Sequence, residues 1–550
     1  MKKENNDIEI EEIIQDAINL PKFLDKEDEG HIVSIVPQKA IVITGLLIFL
    51  LLFLFIGRTF FLQIVNGSVY ADISRKNSFN KEIIFQKRGI IYDRNGERIG
   101  WNSKNEEEDF PYRKYTDKNG MAHLIGFVSY PQKDDKGFYF RESIEGIDGV
   151  EELFNDHLSG RAGSIIVEKN AKGDTLSKHI LDNPVNGKDI ELSVDSDISD
   201  FLYNKMEMTA EERGFQGGSA LLMSLETGEL LALVNYPEYA QEEIASGNEE
   251  EIEKFLKDDK SPFFNRAISG LYSPGSTIKP FVAFGVLEED IISPHKIINV
   301  TGSIEIQNPY NKELKSVFHD WKPHGPVDFV RALAVSSNIY FYQIGGGFET
   351  QKGLGIKKIE EYLRKFQIGA STDTGLAYEP DGVIPTPEWK EEVFNDPWRV
   401  GDTYNTVVGQ YGFEVTPLQM IRSISGIAKG SVVTPTITKP DEVSERAIEL
   451  KDDDSFDLVR EGMRQAVLSG TAKGLNVPYV DIAAKTGTAE IGVKKDLVNS
   501  WAIGFFPYEE PKYVFAVVME RGPVENTIGG VFVARGMFDW MAENKRELLQ

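Results

Sequence analysis

The chain of 550 residues has no cysteine, only seven histidines, and far fewer basic than acidic residues, 60 against 87. Without cysteine there can be no disulfide, thiolate nucleophile, iron–sulfur cluster or cysteine-ligated zinc. The histidines are scattered. Their one local cluster, His319 and His324 with Asp320 between, is interrupted by Pro323 and followed by Gly325. That spacing suits neither face of a helix, so no metal site is expected there. The formal net charge of −27 repels phosphate backbones and excludes a nucleic-acid partner. Anionic lipid headgroups would not attract such a surface either, so any membrane contact has to be hydrophobic.

Long apolar runs are equally scarce. Ala40–Gly57 reads AIVITGLLIFLLLFLFIG, with Thr44 as its only polar side chain. As a helix it spans about 27 Å, close to the hydrocarbon thickness of a bilayer. Phe60, Phe61 and Leu62 extend the apolar surface past Arg58. The run is longer than a signal-peptide core, follows an acidic tail and lacks a small-residue cleavage pattern, which favours an uncleaved anchor. Lys39 on one flank and Arg58, Arg75 and Lys76 on the other lean weakly toward a cytoplasmic C-terminus. Long domains cross the membrane largely regardless of such charges, and the chemistry of the motifs needs an external substrate.

The sequence divides into four segments: an acidic cytoplasmic tail at 1–39, a transmembrane helix at 40–57, a β-rich membrane-proximal pedestal at 58–196, and a larger domain at 197–550. A short helix is expected around residues 8–19. In the pedestal, FQKRGIIYDRNGER at 85–98 predicts a strand entering an Asn95-Gly96 turn. Residues 163–194 look β-rich, while Trp101–Gly120, polar and acidic, reads as a loop. In the last segment GGSALLMSL (217–225) and ELLALVN (229–235) predict a hairpin, as do SWAIGFFP (500–507) and KYVFAVVME (512–520). GMFDWMAENKRELL at 536–549 has helical periodicity. Strands at both ends with helices between them predict an α+β (mixed) fold with an antiparallel sheet flanked by helices.

Three short patterns carry chemistry: Ser276-Thr277-Ile278-Lys279, Ser336-Ser337-Asn338 and Lys485-Thr486-Gly487-Thr488. Singly they are weak. S-x-x-K recurs at Ser78 and Ser293, and S-x-N at Ser78, Ser103 and Ser246. Context separates them. Pro274-Gly275 turns the chain into Ser276, and Ile278, Phe281, Val282, Phe284, Val286 and Leu287 continue as a buried helix. Ser276 thus opens a helix, with Lys279 one turn on. A serine needs a base to become nucleophilic, and lysine serves only if burial or a neighbouring cation, for which Lys485 is available, lowers its pKa. Taken alone, an N-capping serine beside a solvated lysine explains the pair as well. Ser336 and Asn338 lie between two apolar helical stretches, where Ser336 can relay a proton and Asn338 hold a substrate amide, or both can simply cap. Lys485–Thr488 reads as an edge strand able to pair with an extended peptide and bind its carboxylate. The N–H groups of Ser276 and Thr488 can form an oxyanion hole.

The S-x-x-K, S-x-N and K-T-G set together is similar to that of penicillin-binding proteins and serine β-lactamases. Tyr272-Ser273-Pro274-Gly275, Asn265-Arg266-Ala267, Arg88–Gly96 (RGIIYDRNG) and Gly504-Phe505 before Pro507 resemble class B penicillin-binding proteins from about residue 58 onward. Pro397–Thr403 (PWRVGDT) and Gly409-Gln410 with Thr416–Gln419 are closer to the elongation-type penicillin-binding protein 2 than to the division type. The resemblance implies a transpeptidase domain above a dimerisation-type pedestal, no cofactor, and D,D-transpeptidation of peptidoglycan stem peptides ending in D-alanyl-D-alanine. It implies Ser276, Lys279, Ser336, Asn338 and Lys485 as catalytic residues, with Thr486, Gly487 and Thr488 binding substrate. It also implies inhibition by β-lactams, a membrane glycosyltransferase of the SEDS type as partner, and a catalytic domain outside the cell membrane. Two departures stand out. Tyr411 replaces a glycine common in the family, and the stretch around 101–120 is shorter than in larger relatives. Two rivals share these motifs: a D,D-carboxypeptidase or β-lactam hydrolase using water, and a non-catalytic β-lactam sensor or scaffold.

Overall fold

The computed structural model describes residues 37–71 and 79–550, apart from 105, 107, 136, 138, 171–173, 308–312, 452–453, 493 and 527. The helix expected around residues 8–19 lies outside the described residues. The chain divides into two compact units, Met1–Asn80 with Val167–Ser177, and Lys81–Ile166 with Lys178–Gln550.

In the first unit, α1 (Gln38–Phe60) continues through a π-helical turn at Phe61–Val65. The stretch Lys39–Val65 is long and apolar enough to cross a membrane, and none of its most apolar window is buried. Ile41, Phe49, Phe53 and Phe55 all face outward, over half exposed. A soluble core helix hides such side chains; this one needs lipid or a partner around it.

The second unit begins with a small sheet. β1 (Ile91–Tyr92) and β2 (Arg98–Ser103) form the expected hairpin around Asn95-Gly96. β3 (Tyr112–Tyr115) pairs antiparallel with β2, Trp101 opposite Lys114. The reading of Trp101–Gly120 as a loop is thus wrong at 101–103 and 112–115. Its polar composition misled because a charged residue of β3 points inward. Arg113 is buried, and so is Arg88 from the RGIIYDRNG stretch. Both converge on Glu151 of the short helix α2 (Gly149–Leu153). Arg88 Nε lies 2.5 Å from Glu151 Oε2 and Arg113 Nε 2.6 Å from Oε1, with all three side chains essentially inaccessible. Arg88 also donates to Ile144 O and Asn155 Oδ1, and Arg113 to Gly89 O. β4 (Ile190–Glu191) closes the sheet parallel to β1.

Asp93 ties this small sheet to the next helix. Its carboxylate accepts from the Asn95 and Glu97 amides, shaping the hairpin, and from Ser196 Oγ at 2.7 Å. Ser196 opens α3 (Ser196–Arg213), which Asp195 caps by accepting from Asp197 N and Ile198 N.

The remainder is built on a five-stranded antiparallel sheet. Its strands are β5 (Gly217–Ser224), β6 (Leu230–Tyr236), β7 (Ala483–Ile491), β8 (Leu497–Phe506) and β9 (Tyr513–Pro523), in the order β6-β5-β9-β8-β7. Both predicted hairpins are present. Between β6 and β7 lie α4 (Lys279–Glu288), α5 (Phe329–Ala334), α6 (Asn338–Gly346), α7 (Pro417–Lys429) and α8 (Ser455–Ser469). The chain ends with α9 (Gly530–Asn544) and a separate 3-10 turn at Arg546–Leu549, so the last helix starts before the expected residue 536.

Strand alternation assigns each sheet face its own helices. Leu221, Leu233, Ala483, Ile503 and Val518 pack with Phe281 and Phe284 of α4 and Leu418 and Ile421 of α7. Their neighbours Leu222, Val234, Ala484, Ala502 and Val517 pack with Leu202 and Met206 of α3 and Val533 and Phe538 of α9. Both faces are covered, which explains why the strands read as nearly continuous apolar runs. The expected α+β fold, an antiparallel sheet flanked by helices, is what forms.

Removing Glu151 leaves two buried guanidiniums uncompensated, an effect of about 3–5 kcal/mol. Urea unfolding of the detergent-solubilised chain should show Glu151→Ala destabilised by that order. A change below about 1 kcal/mol, as for an exposed pair, would deny the triad its structural weight.

Candidate active site

Three separate stretches bring the predicted residues together where β7, the edge strand, meets the start of α4. Pro274 lies in a helical conformation and Gly275 in the left-handed region, φ +54°. Ser276 sits in a 3-10 turn, Gly275–Ile278, which runs directly into α4. Pro280 is tolerated because it falls in the first turn, where no intrahelical N–H is required. Ser276 is half-buried, whereas Lys279 is fully buried.

The turn and the strand touch through glycine. A Cβ on Gly487 would lie 2.7 Å from Pro274 O and 2.9 Å from Thr277 Cγ2, so only glycine lets β7 approach so closely. Gly409 performs the same service on the other side. It has φ +71°, its carbonyl accepts from Gly275 N at 3.0 Å, and a Cβ there would strike Gly275 O. Tyr411, where the family often has glycine, keeps the left-handed backbone, φ +67°, and lays its ring among Trp389, Phe394 and Trp398. The tyrosine thus joins an aromatic cluster beside the loop.

Lys279 Nζ donates to Ser336 O at 2.8 Å and Asn338 Oδ1 at 2.7 Å, and lies 3.3 Å from Ser336 Oγ. Among the described residues it makes no hydrogen bond to Ser276, contrary to the simplest expectation from their spacing. Lys485 Nζ donates to Ser336 Oγ at 2.8 Å and to Thr486 O. Ser336 therefore bridges two buried lysines. Its φ of +57° is rare for a residue with a side chain, and such strain persists only where the surroundings fix it.

Burial drives the Lys279 ammonium down to about 7, with the Asp320 carboxylate pulling the other way. Burial also holds Lys485 well below the ordinary lysine range, and the Lys279 charge adds to that. Of the two causes the sequence allows for Lys279, burial or the Lys485 charge, burial is the one at work. A neutral amine at Lys279 keeps two N–H donors for the Ser336 carbonyl and Asn338, and retains a lone pair.

Asp320, in the sequence merely a member of the histidine cluster, has a part in the site. It accepts from Ser337 Oγ at 2.7 Å, Asn338 N at 3.0 Å and Ile339 N at 3.1 Å, fixing the start of α6 and hence Asn338. Only a fixed negative group at a helix start could have revealed it, and a gap of eighteen residues hides that link. His324 Nε2 lies 3.6 Å from Asp320.

On β7, alternation points Lys485 and Gly487 toward α4, and Thr486 and Thr488 toward the face that α9 covers. Thr486 Oγ1 donates to Thr471 Oγ1 at 2.7 Å. A cleft of about 640 Å³ opens here, bordered by Ser276, Ser336, Asn338, Thr486 and Thr488. Trp321 and Trp501 also border it, the latter donating its indole N–H to Ser273 O. All eight predicted residues are thus at this cleft or, for the two lysines, directly behind it. The arrangement can deprotonate a serine, relay a proton through a second serine, and seat an extended chain on a sheet edge.

A family model described as the penicillin-binding protein transpeptidase domain matches residues 218–534, more than half of the chain. The penicillin-binding protein dimerisation domain matches residues 106–192. The peptidoglycan D,D-transpeptidase MrdA of Acinetobacter baumannii is 29% identical over 467 residues, covering 79% of this chain and 66% of that protein. MrdA of Escherichia coli K12 is 28% identical over 464 residues, covering 77% and 70%. The chain spans about two thirds of the length of these curated relatives. Among solved structures, PBP2 from a complex with MreC of Helicobacter pylori has a TM-score of 0.69 at 25% identity, covering 84% of this chain and 99% of that one. PBP2 of Pseudomonas aeruginosa in complex with WCK 5153 has 0.68 at 25%, covering 85% and 98%. The chain belongs to the penicillin-binding protein transpeptidase family, among the class B proteins of the elongation type.

Proposed function

We propose that this protein is a membrane-anchored peptidoglycan D,D-transpeptidase acting in cell-wall elongation through a Ser276 acyl-enzyme. The observation that carries the reading is the convergence of Ser276, Lys279, Ser336, Asn338 and Lys485 from three distant segments onto one cleft beside an edge strand.

The donor stem peptide lies along β7, paired by its backbone, with Asn338 holding its amide. Lys279 takes the Ser276 proton as Oγ attacks the penultimate D-alanine carbonyl, and backbone N–H groups of Ser276 and Thr488 receive the oxyanion. The C–N bond breaks as Ser336, between the two lysines, delivers a proton to the departing D-alanine. An amine from a neighbouring strand then attacks the ester, forms the cross-link and restores the Ser276 hydroxyl. α1 serves as a single-pass anchor, with residues 58–196 as pedestal and 197–550 as catalytic domain outside the cell membrane. A SEDS-type glycosyltransferase is the expected partner; a solved relative was captured with MreC.

Feeding the purified protein a stem-peptide donor with and without an amine acceptor tests this. Cross-linked product should dominate at saturating acceptor; free acid dominating there would make the protein a carboxypeptidase. A fluorescent penicillin should label the chain covalently, and Ser276→Ala should abolish the label. Persistent label would move the nucleophile elsewhere.

Acylation should rise with pH around a midpoint near 7, because Lys279 accepts the proton only as the neutral amine. Asp320 favours the ammonium form, so Asp320→Asn should move that midpoint to lower pH. Pre-steady-state acylation rates measured from pH 5 to 9 report both. An unmoved midpoint would separate Asp320 from the base.

A further inference from the structure

The donor that this reading requires ends in a carboxylate, and something must offset that charge in a molecule of net charge −27. Lys485, the lysine of the K-T-G pattern, is poorly suited. It is wholly buried, turned toward α4, and occupied with Ser336 Oγ and Thr486 O. Burial and the neighbouring Lys279 also work against its carrying a charge.

Across the same cleft stands a permanent cation. Among the described residues that border the cleft, Arg535 of α9 is the only charged one. Strand alternation turns the hydroxyl-bearing Thr486 and Thr488 toward α9 rather than toward α4. Val531 and Phe532, one turn before Arg535, wall the cleft with apolar surface that strengthens any charge interaction beside it. The guanidinium is held from behind. Its Nε lies 2.8 and 2.9 Å from the two Asp539 carboxylate oxygens, and one NH1 hydrogen goes to Gly474 O at 3.1 Å. The Tyr479 hydroxyl takes a third of its five N–H donors, and two are left over. Asp539 is half exposed, and the Arg535 side chain is 37% exposed. The guanidinium is thus fixed in place yet open to solvent and ligand.

We infer that Arg535, acting with the Thr486 and Thr488 hydroxyls, binds the terminal carboxylate of the acyl donor and so sets the preference for a free C-terminus. The inference rests on the transpeptidase reading and adds a substrate-binding residue outside the three motifs. β-Lactams that carry a carboxylate meet the same group.

The test compares two donors in the full-length, detergent-solubilised protein: a stem peptide ending in D-alanyl-D-alanine, and the same peptide with its C-terminus amidated. Wild type should prefer the free acid, and Arg535→Ala should lose about tenfold or more in kcat/KM for it, the scale of a lost charged hydrogen bond. The amide should be turned over equally by both proteins. Arg535→Lys should restore part of the loss, because it keeps the charge. Urea unfolding of each variant, which does not depend on the carboxylate contact, checks that the chain is folded. Equal losses on both donors, or none on the acid, would overturn the inference while leaving the transpeptidase reading intact. Wild type turning over neither donor would remove both.

Discussion

Two lysine side chains share one serine hydroxyl inside this protein, and neither reaches water. Lys279 and Lys485 both approach Ser336 Oγ, at 3.3 and 2.8 Å, from helix and strand respectively. Two ammoniums held against one hydroxyl would repel each other. Desolvation adds to that cost. The pair therefore cannot comfortably hold two extra protons, and one amine is left able to take a proton from a neighbour. The rest of the site serves this constraint. The left-handed Ser336 aims its hydroxyl between the amines, Ser337 and Asp320 pin the start of α6, and Gly487 lets β7 come close enough for Lys485 to arrive.

The sheet divides labour by its period of two. Along β7, Lys485 and Gly487 belong to the face packed on α4, where the two lysines meet Ser336. Thr486 and Thr488 belong to the face packed on α9, where polar hydroxyls meet an apolar wall. An edge strand is required for both to matter, since a central strand would have neither cleft nor free backbone. β7 is the edge because β8 and β9, the last hairpin, insert between it and the β5–β6 hairpin. Chain ends meeting in the middle of the sheet, as β5 pairs with β9, thus create the edge that the site uses.

The sequence made much of this visible where residue type and position agreed. Both long hairpins, the turn into Ser276 and the edge position of Lys485–Thr488 were legible, because apolar alternation, Pro-Gly and Thr-Gly are local signals. What escaped was non-local. Arg113 made β3 look like a loop, since nothing near it announces that Glu151 will neutralise it in the interior. Asp320 looked like a spacer between histidines, because its partners Ser337, Asn338 and Ile339 come from a helix start further along. The link from Lys279 went to Ser336 and Asn338 rather than to Ser276, since a lysine's reach depends on what is packed around it and not on its spacing in the chain.

Asp320 helps to set the proton affinity of Lys279. Burial alone would push Lys279 far below the ordinary lysine range, and an amine with too low a pKa is a weak base, however reliably neutral it is. The Asp320 carboxylate opposes burial and leaves Lys279 at about 7. An amine there is substantially neutral at physiological pH yet still basic enough to hold a serine proton. The same carboxylate accepts from the Asn338 amide, and Asn338 accepts from Lys279. One side chain therefore sets both the basicity of the amine and the position of the group that orients it. Geometry and proton affinity at this site are coupled through Asp320, so neither can drift without disturbing the other.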